Sequence, residues 1–447
     1  MRAAEQAADL GTRPVGRLLW HACIQTTMSV GTYGVYALTN AWFVSRGVGS
    51  VAFAAVNLMA PILLIMGAVS TTVGAGGASL ISSSLGRGDT RQAARAAGNA
   101  FGVYWAFAAA VTILGVLLID PLLTLLGAVG PTRDYARDYG LILLGAAVAG
   151  TGFSSLVRAE GRMRFSTMIW VSALLVQMTL DPLLIFGFGL GVRGAALGTV
   201  GGQALSLVMS MWFFFGQRNR PYRITLADLR PHGATLRQMV SVGAPSFLTG
   251  LGTTVLAVLA NNLLIAIGGP VALSAYALCI RLGIFVTMPQ LGIAQALQPI
   301  VGYNAGHGLP DRVRRTVVLS LRATVLYGTA AALLLVVAAK PLIAAFTDEQ
   351  SVRAAARQAL LILALVYVLA GVAPLVSSYF QALGMPKPSY LISIGTLVVV
   401  RLPLLIGLSH FGTLGLLISF PAAELITAAI ALLLWWRSRA PGGAAEP

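Results

Sequence analysis

The sequence has few charged residues and very few acidic ones. Only 10% of its 447 residues are charged and 57% are hydrophobic, whereas roughly a quarter of the residues in a soluble domain are charged. Asp and Glu together number 14. A chain with so little charge cannot cover its surface in water. A soluble protein is therefore excluded, and an integral membrane protein is predicted.

Residues that build metal or redox sites are also scarce. The two cysteines, Cys23 and Cys279, both fall within apolar runs, which favours neither a disulfide framework nor a metal site. The four histidines are scattered, and no Gly-Lys-Ser/Thr phosphate loop occurs. We therefore expect no catalytic residue, no metal, no cofactor and no ATP-driven reaction, so that the chain is not an enzyme.

Long apolar runs fill the sequence instead. Each is long enough to cross a bilayer as a helix, which takes about 20 residues. We predict twelve transmembrane helices, at residues 16–44, 52–82, 96–119, 138–157, 165–188, 194–216, 239–268, 271–302, 316–339, 356–380, 389–409 and 413–436.

The net charge of +16 is best explained by membrane topology. With the N-terminus in the cytoplasm, most Lys and Arg fall on the cytoplasmic side, as the positive-inside rule expects. We predict a multi-pass protein of the bacterial inner membrane with both termini cytoplasmic. The expected partners are the lipid bilayer and a small-molecule substrate, with no nucleic acid, and the chain is expected to be a monomer.

One sequence frame occurs twice. Leu180-Asp-Pro-Leu-Leu-Ile-Phe186 resembles Arg401-Leu-Pro-Leu-Leu-Ile-Gly407, and the two prolines, Pro182 and Pro403, are 221 residues apart. A long internal repeat is typical of secondary transporters. Because each repeat has an even number of spans, the two halves are predicted to be parallel.

These observations predict an all-α membrane protein. Its twelve transmembrane helices form two pseudo-twofold-related six-helix bundles around a central cleft. We assign residues 1–216 to the N-terminal lobe, 217–238 to a cytoplasmic linker and 239–447 to the C-terminal lobe.

One half carries a carboxylate that the other lacks. An ionisable side chain within a span costs at least about 2.5 kcal/mol, which favours a functional role for Asp181 over a helix-end cap. Gln177 lies one turn away on the same face. Tyr36 and Asn40 share a stripe of the first span, and Thr199 lies at a similar depth in the sixth. We predict that these groups converge on one hydrated pocket.

The C-terminal half has its own charges within spans. Arg401 and Glu424 lie at similar depths and can pair, and Arg281 is a third candidate for that layer. We favour a structural salt bridge over substrate binding for this set. Further candidates for the wall of the cleft are Met28, Phe153, Met178, Gln203, Asn261, Gln295 and Gln298.

Five short motifs are distributed over both halves: Arg158-Ala-Glu-Gly161, Leu180-Asp-Pro-Leu-Leu-Ile185, Gly194-Ala-Ala-Leu-Gly-Thr199, Gln298-Pro-Ile-Val-Gly-Tyr-Asn304 and Phe380-Gln-Ala-Leu-Gly384. They resemble motifs of the multidrug and toxic compound extrusion (MATE) family, in its bacterial branch. The resemblance implies two six-helix bundles facing a central cleft. It also implies export of cationic or amphipathic compounds in exchange for protons or sodium ions.

The resemblance assigns roles within the predicted pocket. Asp181 matches the acid of the family's fifth helix, with Gln177 at the usual Asn position. Thr199 matches the hydroxyl of helix six, and Tyr36 matches the aromatic residue of helix one. The acid that the family carries in helix one falls on Asn40, so Asp181 is expected to couple transport alone.

Three hypotheses follow for function. The first is an antiporter that exports amphipathic, cationic drugs or metabolites, with H⁺ or Na⁺ as the coupling ion. The second is a flippase for a lipid or a lipid-linked precursor, suggested by Arg281 and Arg401 and weakened if Arg401 bonds to Glu424. The third is a membrane-embedded transferase, which needs clustered acids and a metal.

Overall fold

The computed structural model describes residues 2–150, 153–217 and 219–438. Every regular element in these ranges is a helix, and none is a strand. An apolar segment in lipid has no water to bond its backbone groups, so it must pair them internally, which a helix does. The predicted all-α membrane fold is confirmed.

The described chain divides into two compact units. The first comprises the residues up to Thr12 together with Met28–Gly243, and the second comprises Arg13–Thr27 together with the residues from Ala244 onward. Residues 13–27 thus belong to the second unit, and the predicted linker at 217–238 belongs to the first.

The first unit holds ten helices or the larger part of them. They are α1 (Arg2–Thr12), α2 (Val15–Gly47), α3 (Ser50–Leu58), α4 (Ala60–Gly86), α5 (Thr90–Leu117), α6 (Ile119–Leu125), α7 (Pro131–Gly145), α8 (Ser154–Ala159), α9 (Met163–Pro182) and α10 (Gly191–Met211). A 3₁₀ turn at Ala147–Ala149 precedes α8, and π-helical turns extend α9 and α10 at Leu183–Gly187 and Trp212–Gly216.

The second unit holds most of the remaining helices. They are α11 (Gly233–Gly306), α12 (Pro310–Val337), α13 (Ala339–Ala344), α14 (Gln350–Leu369), α15 (Val372–Ala382), α16 (Pro386–Tyr390), α17 (Leu402–Ser409) and α18 (Gly412–Arg437). Two π-helical turns, Leu391–Gly395 and Leu397–Arg401, join α16 to α17.

The described helices account for the predicted spans. Nine are long and apolar enough to cross a bilayer, or ten if the bent pair of Pro131–Gly145 and Ala147–Ala159 is one span. Helix α11 has 74 residues and contains two spans, because its backbone leaves helical geometry at Gly269, where φ is 66°. Helix α2, with 33 residues, covers the first predicted span.

Small residues bring helix α4 into close contact with the first turns of α11, which belong to the first unit. A Cβ atom on Gly76 of α4 would overlap the carbonyl oxygen of Met239, and a Cβ on Gly243 would overlap that of Thr72. Glycine is required at both positions because only it lets the two backbones approach so closely. This contact fixes the first turns of α11 against α4 within the first unit.

Candidate functional site

A stripe of glycines on α10 packs closely against helix α9. Gly194, Gly198 and Gly202 are spaced four residues apart and therefore lie on one face of the helix. A Cβ on Gly202 would lie 2.7 Å from the carbonyl oxygen of Ala173, and one on Gly198 would overlap the carboxylate of Asp181. Because these glycines have no side chains, the Asp181 side chain lies directly against the backbone of α10.

Asp181 is completely buried in the last turn of α9. Its Oδ2 atom accepts two hydrogen bonds from amide groups. Gln177 Nε2 donates one at 3.2 Å, and Asn40 Nδ2 of α2 donates the other at 3.4 Å. No charged side chain among the described residues neutralises Asp181 by direct contact. The two neutral donors stabilise an ionised carboxylate only in part.

Two oxygens of this cluster have no hydrogen-bond partner among the described residues. They are Oδ1 of Asp181 and Oε1 of Gln177, and both are buried. An unpaired polar atom in a low-dielectric interior is costly, and an unpaired anionic oxygen more so. The arrangement can lower that cost by taking up a proton or a metal cation, which prefers such oxygen ligands.

Thr199 links the cluster to a residue that the sequence analysis did not identify. Asn40 Nδ2 also donates to Thr199 Oγ1 at 3.4 Å. Tyr139, on α7, lies close to Thr199 and within electrostatic range of Asp181. Tyr139 is buried, and its predicted span offered no periodicity that would show which face it occupies.

Four of the five predicted coupling residues therefore lie together in the first unit. We call Asn40, Gln177, Asp181 and Thr199 the Asp181 site. The side chain of Tyr36 lies outside the part of the chain that the structure describes.

The candidates for the cleft wall occupy different environments. Phe153 is buried in an aromatic core, with its ring centroid 4.0 Å from that of Phe101 and 5.7 Å from that of Tyr104. Gln298 is also buried, whereas Met28, Met178 and Asn261 are exposed. Gln203 and Gln295 are partly buried.

The charges of the second unit include the predicted pair. Arg401 Nη2 donates to Glu424 Oε2 at 3.0 Å, and the pair is largely buried. The other oxygen of Glu424, Oε1, has no partner among the described residues. Arg281 is exposed and forms no ion pair within the described part of the chain.

The fold and the site define a class of protein. Many apolar helices enclose a carboxylate that is held by amide and hydroxyl groups inside a span, and such groups mark ion and substrate pathways. This is an integral membrane transporter. The MatE family model matches residues 27–183 and again residues 245–406. The chain therefore belongs to the MATE family, whose members are transporters and not enzymes.

Relatives of known name cover almost the whole chain. It is 26% identical to a FAD transporter of Shewanella oneidensis, over 92% of each chain. It is also 26% identical to the multidrug export protein MepA of Staphylococcus aureus, over 96% of this chain and 95% of the relative. The chain is thus a multi-pass membrane protein of a bacterial transporter family.

A solved structure confirms the fold. An outward-facing multidrug resistance MATE transporter of the MOP superfamily matches with a TM-score of 0.89 at 24% identity, over 97% of both chains. The two matches to one family model also agree with the internal repeat that the sequence predicts.

Proposed function

We propose that this protein is a secondary active antiporter of the inner membrane that exports amphipathic, cationic small molecules in exchange for protons or sodium ions. One observation carries the proposal. Asp181 is fully buried in a span, and its Oδ1 atom has no partner among the described residues. A carboxylate in this state is suited to binding and releasing a cation.

Asp181 couples the two fluxes through competition for one negative charge. An ion that binds Asp181 from outside neutralises the carboxylate, changes its hydrogen bonds to Gln177 and Asn40, and disfavours a cationic substrate. Release of the ion to the cytoplasm restores the anion. Because coupling requires one bound state to exclude the other, a single carboxylate is sufficient.

Transport in proteoliposomes tests this proposal. The purified protein is reconstituted with ethidium as the probe, and a proton gradient and a sodium gradient are imposed in separate experiments. We expect one of the two gradients to drive ethidium against its own gradient. The absence of ethidium movement with either gradient, in vesicles shown to contain folded protein, would overturn the proposal.

A second candidate function is the export of an anionic flavin nucleotide. The Shewanella oneidensis relative is named a FAD transporter, and exposed Arg281 forms no ion pair among the described residues. A guanidinium in a span is suited to a phosphate. FAD is fluorescent, so the same proteoliposomes report whether FAD or ethidium moves.

The flippase hypothesis has less support. It requires guanidinium groups that are available to an anionic headgroup, and Arg401 is instead bonded to Glu424. Phospholipid scrambling in the same vesicles checks this alternative directly.

A further inference from the structure

A cavity of about 390 Å³ lies between the start of helix α5 and the linker segment that follows α10. Its volume is within the usual range of small-ligand sites, roughly 300–1,000 Å³. Three arginines line it, Arg91 and Arg95 from α5 and Arg223 from the linker. All of these residues belong to the first unit, on the face that the positive-inside rule predicts to be cytoplasmic.

The linker wall of this cavity is tied to α5. Asn99 Nδ2 donates to the carbonyl oxygens of Asp228, at 3.0 Å, and Arg230, at 3.2 Å. Asn99 Oδ1 accepts the backbone N–H of His232 at 2.7 Å. Gly98 permits this contact, because a Cβ there would lie 2.5 Å from the carbonyl oxygen of Asp228. These contacts therefore hold this part of the linker against α5.

A buried ionic cluster anchors the other end of the linker. Arg220 forms a salt bridge with Glu160, and both side chains are 1% exposed. The hydroxyl of Tyr222 donates to Glu160 Oε1 at 2.5 Å. Burial and the charge of Glu160 raise the pKa of Tyr222 well above its ordinary value, so it remains a neutral donor at pH 7. Tyr222 also lines the cavity, so the cluster fixes the cavity wall.

The charges around the cavity do not balance. Among the described residues, Arg91, Arg95 and Arg223 form no ion pair and no hydrogen bond through their guanidinium groups. The one carboxylate in the lining, Asp228, accepts bonds from Thr225 N at 2.9 Å and Thr225 Oγ1 at 2.6 Å. Three positive charges thus face a cavity with one negative charge.

The repeat offers a comparison for Arg91 and Arg95 in the second half. At the offset of 221 residues, Arg91 corresponds to Arg312, whose Nε donates to Asn304 Oδ1 at 2.9 Å and whose Nη2 donates to the Arg13 carbonyl at 2.7 Å. Arg95 corresponds to Thr316, which carries no charge. Arg312 is therefore bonded within the second half, whereas its counterpart Arg91, and Arg95 beside it, are available to a ligand.

We propose that this cavity binds the phosphate group of an anionic ligand, supplied by a phospholipid headgroup or by free phosphate. Guanidinium groups pair bidentately with phosphate oxygens, which gives both affinity and orientation. Basic pockets on the cytoplasmic side of transmembrane helices are suited to acidic headgroups. The site is distinct from the Asp181 site, and it binds anions rather than cations.

Native mass spectrometry of the purified full chain tests the proposal. The protein is titrated with phosphatidylglycerol, with phosphatidylcholine as the uncharged comparison, and separately with inorganic phosphate. The test variant is Arg91→Gln/Arg95→Gln/Arg223→Gln. The matched control is Arg164→Gln/Arg237→Gln/Arg315→Gln, which removes the same charge from exposed arginines outside the cavity.

We expect the native protein and the control to bind phosphatidylglycerol in preference to phosphatidylcholine. Each guanidinium near an acidic lipid contributes about fivefold in affinity, so the test variant should bind on the order of 100-fold more weakly. A response to inorganic phosphate alone identifies a soluble source of the same group. Equal binding by the test variant, or an equal loss in the control, overturns the proposal. The single variant Arg223→Gln, in the linker, repeats the test with less risk to folding.

Discussion

Gly198 and Asp181 are in direct contact, and a larger residue at position 198 would displace the carboxylate, because a Cβ there would overlap its Oδ1 atom. The same oxygen is the one without a partner among the described residues. The glycine therefore controls access to the atom that, in our proposal, binds the coupling ion.

Replacing this glycine should impair ion coupling. Gly198→Ala forces Asp181 out of its position, and such overpacking costs about 1–3 kcal/mol. We expect ion-driven ethidium transport to fall sharply while the protein still folds. The matched control is Gly201→Ala, on the same helix, whose added Cβ would overlap the flexible end of Leu180 and make an ordinary contact with Val176. An equal loss in both variants would mean that helix packing in general, and not the contact with Asp181, causes the defect.

The Arg401–Glu424 pair should stabilise the second unit without taking part in ion coupling. Arg401→Gln leaves the buried Glu424 carboxylate without its partner, and removing one member of a buried pair costs about 3–5 kcal/mol. We expect the midpoint of thermal unfolding to fall clearly. The double variant Arg401→Gln/Glu424→Gln should recover most of that loss, because it leaves no unpaired charge. If the double variant is less stable than the single one, the pair does not act as a structural salt bridge.

The Glu160 anchor should hold the linker in place. Glu160→Gln leaves Arg220 buried without an ionic partner, at a cost of about 3–5 kcal/mol. We expect faster proteolysis within the linker and a lower unfolding temperature. The control Asp138→Asn breaks the exposed pair with Arg193 and should change little, since exposed pairs contribute little. Unchanged proteolysis in Glu160→Gln would show that the linker is held by Asn99 and its partners instead.

The sequence predicts part of this structure reliably. Asp181 could be identified because an isolated acid in an apolar run is rare for a known energetic reason. The Arg401–Glu424 pair followed from equal depths in neighbouring spans. For both predictions it was sufficient to count residues along the predicted spans.

Other features depend on tertiary contacts that no sequence pattern in this chain specifies. Tyr139 lies in a predicted span whose sequence pattern does not show which face it occupies, so its position beside Thr199 could not be predicted. The glycines of α10 can be recognised in the sequence. The contact between Gly198 and a carboxylate cannot. The linker was recognised by its charge, whereas its attachment to α5 depends on Asn99, an ordinary amide in the sequence.

The role of Asp181 itself is tested most directly by Asp181→Asn. This variant keeps the size of the side chain and removes its negative charge. Transport of ethidium and the accompanying movement of protons or sodium ions are measured in proteoliposomes, beside the native protein and the control Asp138→Asn. We predict that Asp181→Asn abolishes the ion movement that depends on ethidium, while the control retains it. Unchanged coupling in Asp181→Asn would contradict the central role of this carboxylate.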